Sequence, residues 1–157
     1  MATEIERKFL VVGEDWRSLA PGVPYAQGYL CRDPQRTVRV RVAGDQGYLT
    51  IKGATQGISR AEFEYTIPLT EAQELLHLCD RPLIEKIRYR ISQGELVWEV
   101  DEFAGENQGL ILAEVELRSP EQAIVKPDWI GQEVSHDSRY FNTSLVAQPY
   151  RQWEPQL

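Results

Sequence analysis

Charged residues recur at every second position along much of this chain, and they recur by sign. Near the start, Glu4, Glu6 and Lys8 alternate with Ile5, Arg7 and Phe9. "TVRVRVA" sets Arg39 and Arg41 against Val38, Val40 and Val42, and "RAEFEYTI" sets Arg60, Glu62 and Glu64 against Phe63, Tyr65 and Ile67. "LIEKIRYRI" sets Lys86, Arg88 and Arg90 against Ile87, Tyr89 and Ile91, while "ELVWEVDEF" sets Glu99 and Asp101 against Trp98 and Val100. Glu114, Glu116 and Arg118 oppose Val115 and Leu117, and Lys52 shares its parity with Tyr48 and Thr50. Clustered carboxylates repel one another unless a hard divalent cation sits among them, and Mg²⁺ or Mn²⁺ prefers such oxygen ligands. Clustered cations need a polyanion, and the planar fork of arginine suits phosphate oxygens. A chain of phosphates held by bases on one side and metal ions on the other satisfies both demands. Two Mg²⁺ would add about four positive charges, close to what a triphosphate brings in negative charge.

The elements that must position these groups follow from the same alternation, since a period of two is that of a β-strand. For any one strand, an antiparallel sheet with one face in water is the ordinary reading. The set resists it, because whole strands carry one sign and arginine outnumbers lysine on the charged face. The nine bases and eight acids on these faces sum to +1, leaving eight bases and sixteen acids elsewhere in the chain, or −8. Turned inward, the faces make a nearly neutral array of opposed charges. This predicts a mainly β (α+β) fold, a closed antiparallel eight-stranded β-barrel with a few peripheral helices, since closure removes exposed edges. A dry interior could not hold so many ions, so the lumen must be wet and occupied. Glycine-bearing "AGDQG", "GATQG" and "SQG" suit hairpin turns. "EDWRSLAPG" reads as a helical turn, and "TEAQELLHLC" as a helix opened by a Thr70–Gln73 capping box. The tail from residue 119 has proline stops and short helical patterns, but no strand of similar strength.

Composition narrows the class. With 157 residues and 42% hydrophobic content, one domain over 1–157 is expected. No basic-then-apolar leader and no long apolar run appears, so a cytoplasmic protein with no membrane partner is the default. Cys31 and Cys79 lack metal or disulfide spacing, and His77 and His136 are too few for histidine-rich metal chemistry. A net charge of −7 disfavours nucleic acid as a partner.

"EIERKFLV", "RVRV", "LTIKG", "RAEFEY", "EKIRYR", "EVDEF" and "AEVELRS", in that order, resemble the CYTH superfamily, the triphosphate tunnel metalloenzymes. The stretch "GQEVSHDSRYFNTSLV" is similar to the family's closing segment. The resemblance spans nearly the whole chain and implies an eight-stranded tunnel for triphosphate with divalent metal. By position it makes Lys8, Arg39, Arg41, Lys52, Lys86 and Arg88 phosphate-binding bases, with Arg60 joining them by parity. Glu4, Glu6, Glu62, Glu64, Asp101, Glu114 and Glu116 fall on its metal side. Arg90, Glu99 and Arg118 belong at the tunnel mouths or in structural ion pairs.

The expected reaction is metal-dependent hydrolysis of the terminal phosphoanhydride of inorganic triphosphate, because the hairpins are short and no long insert could cradle an organic group. A class IV-type adenylate cyclase, a thiamine or nucleoside triphosphatase, and a non-catalytic polyphosphate-binding module are the alternatives. Lys52, set among other cations and paired with Tyr29, would transfer protons. Trp16, Trp129 and Trp153 would stack a base only if they line a mouth; otherwise they cover the core. The apolar outer face, with Val38, Val40, Phe63, Tyr65 and Trp98, must be covered by helices, by the tail or by a partner chain, and a homodimer would do the last.

Overall fold

A computed structural model describes residues 3–153. The strands are β1 (Thr3–Val11), β2 (Gly22–Asp33), β3 (Arg36–Ala43), β4 (Gln46–Gly53) and β5 (Ser59–Ile67), then β6 (Ile84–Gln93), β7 (Leu96–Phe103), β8 (Ile111–Glu116) and β9 (Ile130–Glu133). Two short helices join them, α1 (Leu69–Leu76) and α2 (Asn142–Ala147). All strand pairings are antiparallel, in the order β5-β4-β3-β2-β6-β7-β8-β1, and β1 pairs back onto β5. Eight strands thus form a ring, as the alternation predicts. β1 closes it by dividing its length: Thr3–Ile5 pair with β5, Glu6–Leu10 pair with β8, and the far end also pairs with β9.

The apolar side chains lie mainly outside this ring, which is why the strands could spend their inner face on charge. Phe9, Trp98, Val100 and Val115 form one outer cluster, covered by Trp16 of a 3-10 turn at Asp15–Ser18 and by Trp129. The 3-10 turn is the predicted helical turn. Helix α1 covers a second patch, where Ala72, Leu76 and Cys79 meet Val40. Gly47 permits that approach, since a Cβ there would lie 2.7 Å from Cβ of Ala72. The helix starts differently from the expected capping box: Pro68 is its N-cap and no side chain caps it. The carbonyl of Pro68 accepts the first intrahelical bond, from the N–H of Ala72 at 3.0 Å. Covering is incomplete on the outer face of β4 and β5, where Ile51, Phe63 and Tyr65 are 37%, 46% and 54% exposed.

A third apolar cluster lies within the ring. Ile84, Phe103 and Leu112 share the parity of the charged residues on their strands, Tyr29 shares that of Tyr25 and Gln27, and all four meet Val134, Leu145 and Val146 of the tail. The tail plugs one end of the ring with α2. The cavity within this tunnel fold is charged toward one end and apolar at the other, where the tail closes it. Among the described residues no helix is long and apolar enough to cross a membrane.

Candidate active site

The ring encloses a cavity of about 340 Å³. Of the residues expected to bind phosphate, Lys8, Arg39, Arg41, Lys52, Arg60 and Arg88 line it; of the expected metal-side acids, Glu4, Glu6, Glu62, Glu64, Glu114 and Glu116 do. Arg90 and Glu99 join them. Strand register explains the convergence. Glu6 faces Glu116 and Lys8 faces Glu114 across β1 and β8, while Arg39 faces Thr50 and Thr50 faces Glu64 across β3, β4 and β5.

Most of these charges are already engaged with one another. Nζ of Lys52 donates to Oε1 of Glu4 at 2.8 Å and lies 3.4 Å from Glu62. Nε of Arg60 donates to the other oxygen of Glu4 at 3.1 Å. Burial resists ionisation of Glu4, but Lys52 and Arg60 outweigh it and hold the pKa below the ordinary value. Nζ of Lys8 donates to the carbonyl of Tyr140 at 3.0 Å and lies 3.5 Å from Glu114. Glu114 is buried as well, yet Lys8, Arg88 and Lys86 draw it well below its usual range. Nη2 of Arg39 donates to Oγ1 of Thr50 at 3.2 Å, while its buried Nε has no hydrogen-bond partner.

Two acids differ from these. Glu6 and Glu116, facing each other across the register, have no cation within ion-pairing distance among the described residues. Burial raises both pKa values, reinforced by Glu114 and Glu4 around Glu6 and by Glu62 and Glu4 around Glu116. Carboxylate oxygens on a cavity wall are donors of the kind that hard divalent cations prefer. No group of three ligating side chains is drawn together among the described residues. The remaining ligands of such an ion would come from phosphate oxygens and water, the usual arrangement for Mg²⁺.

Asp101 and Lys86 lie elsewhere than expected. Neither lines the cavity. Asp101 is 1% exposed and accepts from Nζ of Lys86 at 2.7 Å, Nε of Arg88 at 2.7 Å and Nη2 of Arg88 at 2.8 Å. Its carboxylate is the centre of a buried ion triad deeper inside the ring, and only Arg88 of the three lines the cavity. Burial, with Arg88 beside it, lowers the Lys86 pKa to about 7. Lys86 is thus the lysine among cations that the alternation suggested for Lys52, whose neighbours are carboxylates. Tyr29 lines the cavity, but its register partner is Arg39, whereas Lys52 lies opposite Thr37. Arg118 lies beyond the end of β8, exposed and paired with Glu95. Trp16 and Trp129 belong to the outer core, and Trp153 packs on the plug.

Several lining residues carry no charge, and a scan for charge passes over them. Tyr25 and Tyr48 share the inward parity of their strands, and Ser135, Phe141, Asn142 and Thr143 arrive from the tail. Gln27, wholly buried on the inward face of β2, accepts from Nε of Arg41 at 2.7 Å. Parity alone would have placed Tyr25 and Gln27. Nothing local in the sequence places the tail inside the ring.

The family model for the CYTH domain matches residues 2–150. The chain belongs to the CYTH family. It is 53% identical over 155 residues to a protein of Acetivibrio thermocellus named inorganic triphosphatase, covering 98% of this chain and 99% of that protein. A protein of the same name from Nitrosomonas europaea is 39% identical, over 92% of this chain and 97% of its own length. A solved structure described as an inorganic triphosphatase superposes with a TM-score of 0.66 at 35% identity, covering 90% of this chain and 96% of that one.

Proposed function

We propose that this CYTH protein is a divalent-metal-dependent inorganic triphosphatase, hydrolysing triphosphate to pyrophosphate and phosphate within the blind cavity. The observation that carries the reading is the division of the wall: guanidinium and ammonium groups, including the unpartnered Nε of Arg39, share the cavity with a carboxylate pair, Glu6 and Glu116, that has no cation within ion-pairing distance among the described residues. The names of the two relatives agree with it.

Arg39, Arg41, Arg88 and Lys8 would bind the phosphate chain and stabilise charge building on the transferred and departing phosphates. Lys52 and Arg60 share Glu4, so either can turn toward a phosphate oxygen while the other keeps the carboxylate compensated. Glu6 and Glu116, with Glu62 nearby, would hold Mg²⁺ or Mn²⁺, and two ions would balance a triphosphate. Such an ion, when bound, neutralises phosphate oxygens and acidifies the attacking water. The water's oxygen forms the new bond to the terminal phosphorus as the bridging P–O bond breaks, and pyrophosphate leaves. No protein nucleophile is required. The closed end excludes bulk water from one side and leaves one mouth for access.

The test is phosphate release from inorganic triphosphate, ATP and thiamine triphosphate, with Mg²⁺, with Mn²⁺ and with EDTA, for the protein and for Glu6→Gln. Metal-dependent release greatest with inorganic triphosphate and reduced at least about 100-fold in the variant is expected. Release from none of the three substrates would overturn the hydrolase.

A further inference from the structure

The cavity bases differ in how their charge is compensated. Lys8 lies by Glu114, Arg39 by Glu64, Lys52 and Arg60 by Glu4, Arg88 by Asp101, and Arg90 by Glu99. Arg41 has no carboxylate within ion-pairing distance among the described residues. Its partners are neutral: its Nε donates to Oε1 of Gln27 at 2.7 Å, and its guanidinium carbon lies 5.0 Å from the centre of the Tyr25 ring.

Gln27 is 0% exposed and sits opposite Arg41 in the β2–β3 register. Arginine only donates, so the carbonyl end of the glutamine must face it and the amide nitrogen needs an acceptor elsewhere. Oδ1 of Asn142, delivered by the tail, accepts from that nitrogen at 3.4 Å. Compare Arg88, whose Nε is held at the same 2.7 Å by the carboxylate of Asp101. The two guanidiniums are fixed by acceptors of similar reach, one charged and one not. A carboxylate fixes direction and cancels charge; a carboxamide only fixes direction. The cost falls on Arg41, whose pKa is lowered to about 9 by burial and by Arg39 and Arg88 nearby. It still carries its charge at neutral pH, available to an anion.

We infer that Gln27 is a positioning residue that aims Arg41 at the phosphate chain while leaving its charge uncompensated, with Asn142 of the tail fixing which way the Gln27 amide faces. The inference rests on the reading of the cavity as a triphosphate site. Gln27→Glu keeps the shape and adds the missing counter-charge. Binding of tripolyphosphate is measured by calorimetry in EDTA, without metal, beside the thermal midpoint of the ligand-free protein. The variant should bind about 100-fold more weakly, the scale of a charge pair near a protein surface, while its ligand-free midpoint holds or rises as the introduced carboxylate pairs with Arg41. A purely structural glutamine would lose affinity and stability together, and that result would overturn the inference. Gln27→Leu, which removes the acceptor without adding charge, should bind about 10-fold more weakly and raise KM more than it lowers kcat. On an Arg41→Ala background Gln27→Glu should lose most of its effect; an undiminished effect overturns the inference. Wild-type protein that binds tripolyphosphate, with Gln27→Glu binding within about threefold of it, refutes the role of Gln27 alone. Wild-type protein that binds none in EDTA and releases no phosphate from tripolyphosphate with Mg²⁺ refutes the triphosphate reading and the inference with it.

Discussion

Asp101→Asn separates a buried structural carboxylate from a metal ligand. In the native protein Asp101 accepts three charge-assisted hydrogen bonds and is the only carboxylate bonded to Lys86 among the described residues. Asparagine keeps the volume but has one carbonyl oxygen, and its amide hydrogens would face the donors of Lys86 and Arg88. Removing one partner of a buried ion pair costs about 3–5 kcal/mol, because the other charge is left uncompensated. For a chain of this size each kcal/mol moves the melting midpoint by about 2–4 °C, so a fall of about 6–20 °C is expected. The loss should depend on pH. Burial and Arg88 already lower Lys86 to about 7, and without Asp101 its pKa falls further below that of the unfolded chain. Over the window between the two values the unfolded state binds more protons, so stability rises with pH. The deficit of the variant at pH 6 should therefore shrink by pH 9, as native Lys86 sheds its proton. Thermal or urea unfolding at several pH values is the assay, with the Mg²⁺ concentration for half-maximal activity measured in parallel. A stability change under about 1 kcal/mol, with a raised metal requirement, would refute the buried triad and return Asp101 to the metal side.

Glu6→Gln should stabilise the ligand-free protein increasingly as pH rises. The folded pKa of Glu6 is raised, so the native state holds its proton above the unfolded value, and that contribution is lost as pH climbs through the folded pKa. Wild type and variant should match near pH 4.5 and diverge toward pH 8 in unfolding experiments; parallel profiles would show that Glu6 is already compensated. Leu145→Ala, in the plug where Leu145 is fully buried, should cost about 2–5 kcal/mol by calorimetry. Its metal requirement should stay unchanged, since the plug lies away from Glu6 and Glu116. A neutral effect on stability would mean that the tail does not pack within the ring.

Particular residues show how much could be read before the fold. The parity of Arg39 and Arg41, or of Glu114 and Glu116, is a property of extended backbone, and β-pairing preserves it, so the inward placement of these side chains was legible strand by strand. Parity does not say how far along the ring axis a residue lies. Asp101 and Lys86 share the parity of Arg88 but lie deeper, where Phe103 and Ile84 begin the apolar plug. Arg118 has the right parity on a strand that ends two residues earlier. Lys52 carries a charge that the alternation counts; Glu62 faces it in the β4–β5 register, but only closure of the ring by β1 brings Glu4 to it.

The order of residues along the chain already specifies an antiparallel ring of strands, charged faces turned to a common side, and the succession of motifs of one family. Those follow from local alternation, from the composition of each face and from the impossibility of burying so many ions without partners. Folding in three dimensions settles which charges remain uncompensated, that the tail closes one end, and that a neutral glutamine holds Arg41. These depend on register, depth and the approach of segments more than a hundred residues apart, as when Asn142 reaches Gln27. Such contacts arise from packing in space, which no period along the chain records.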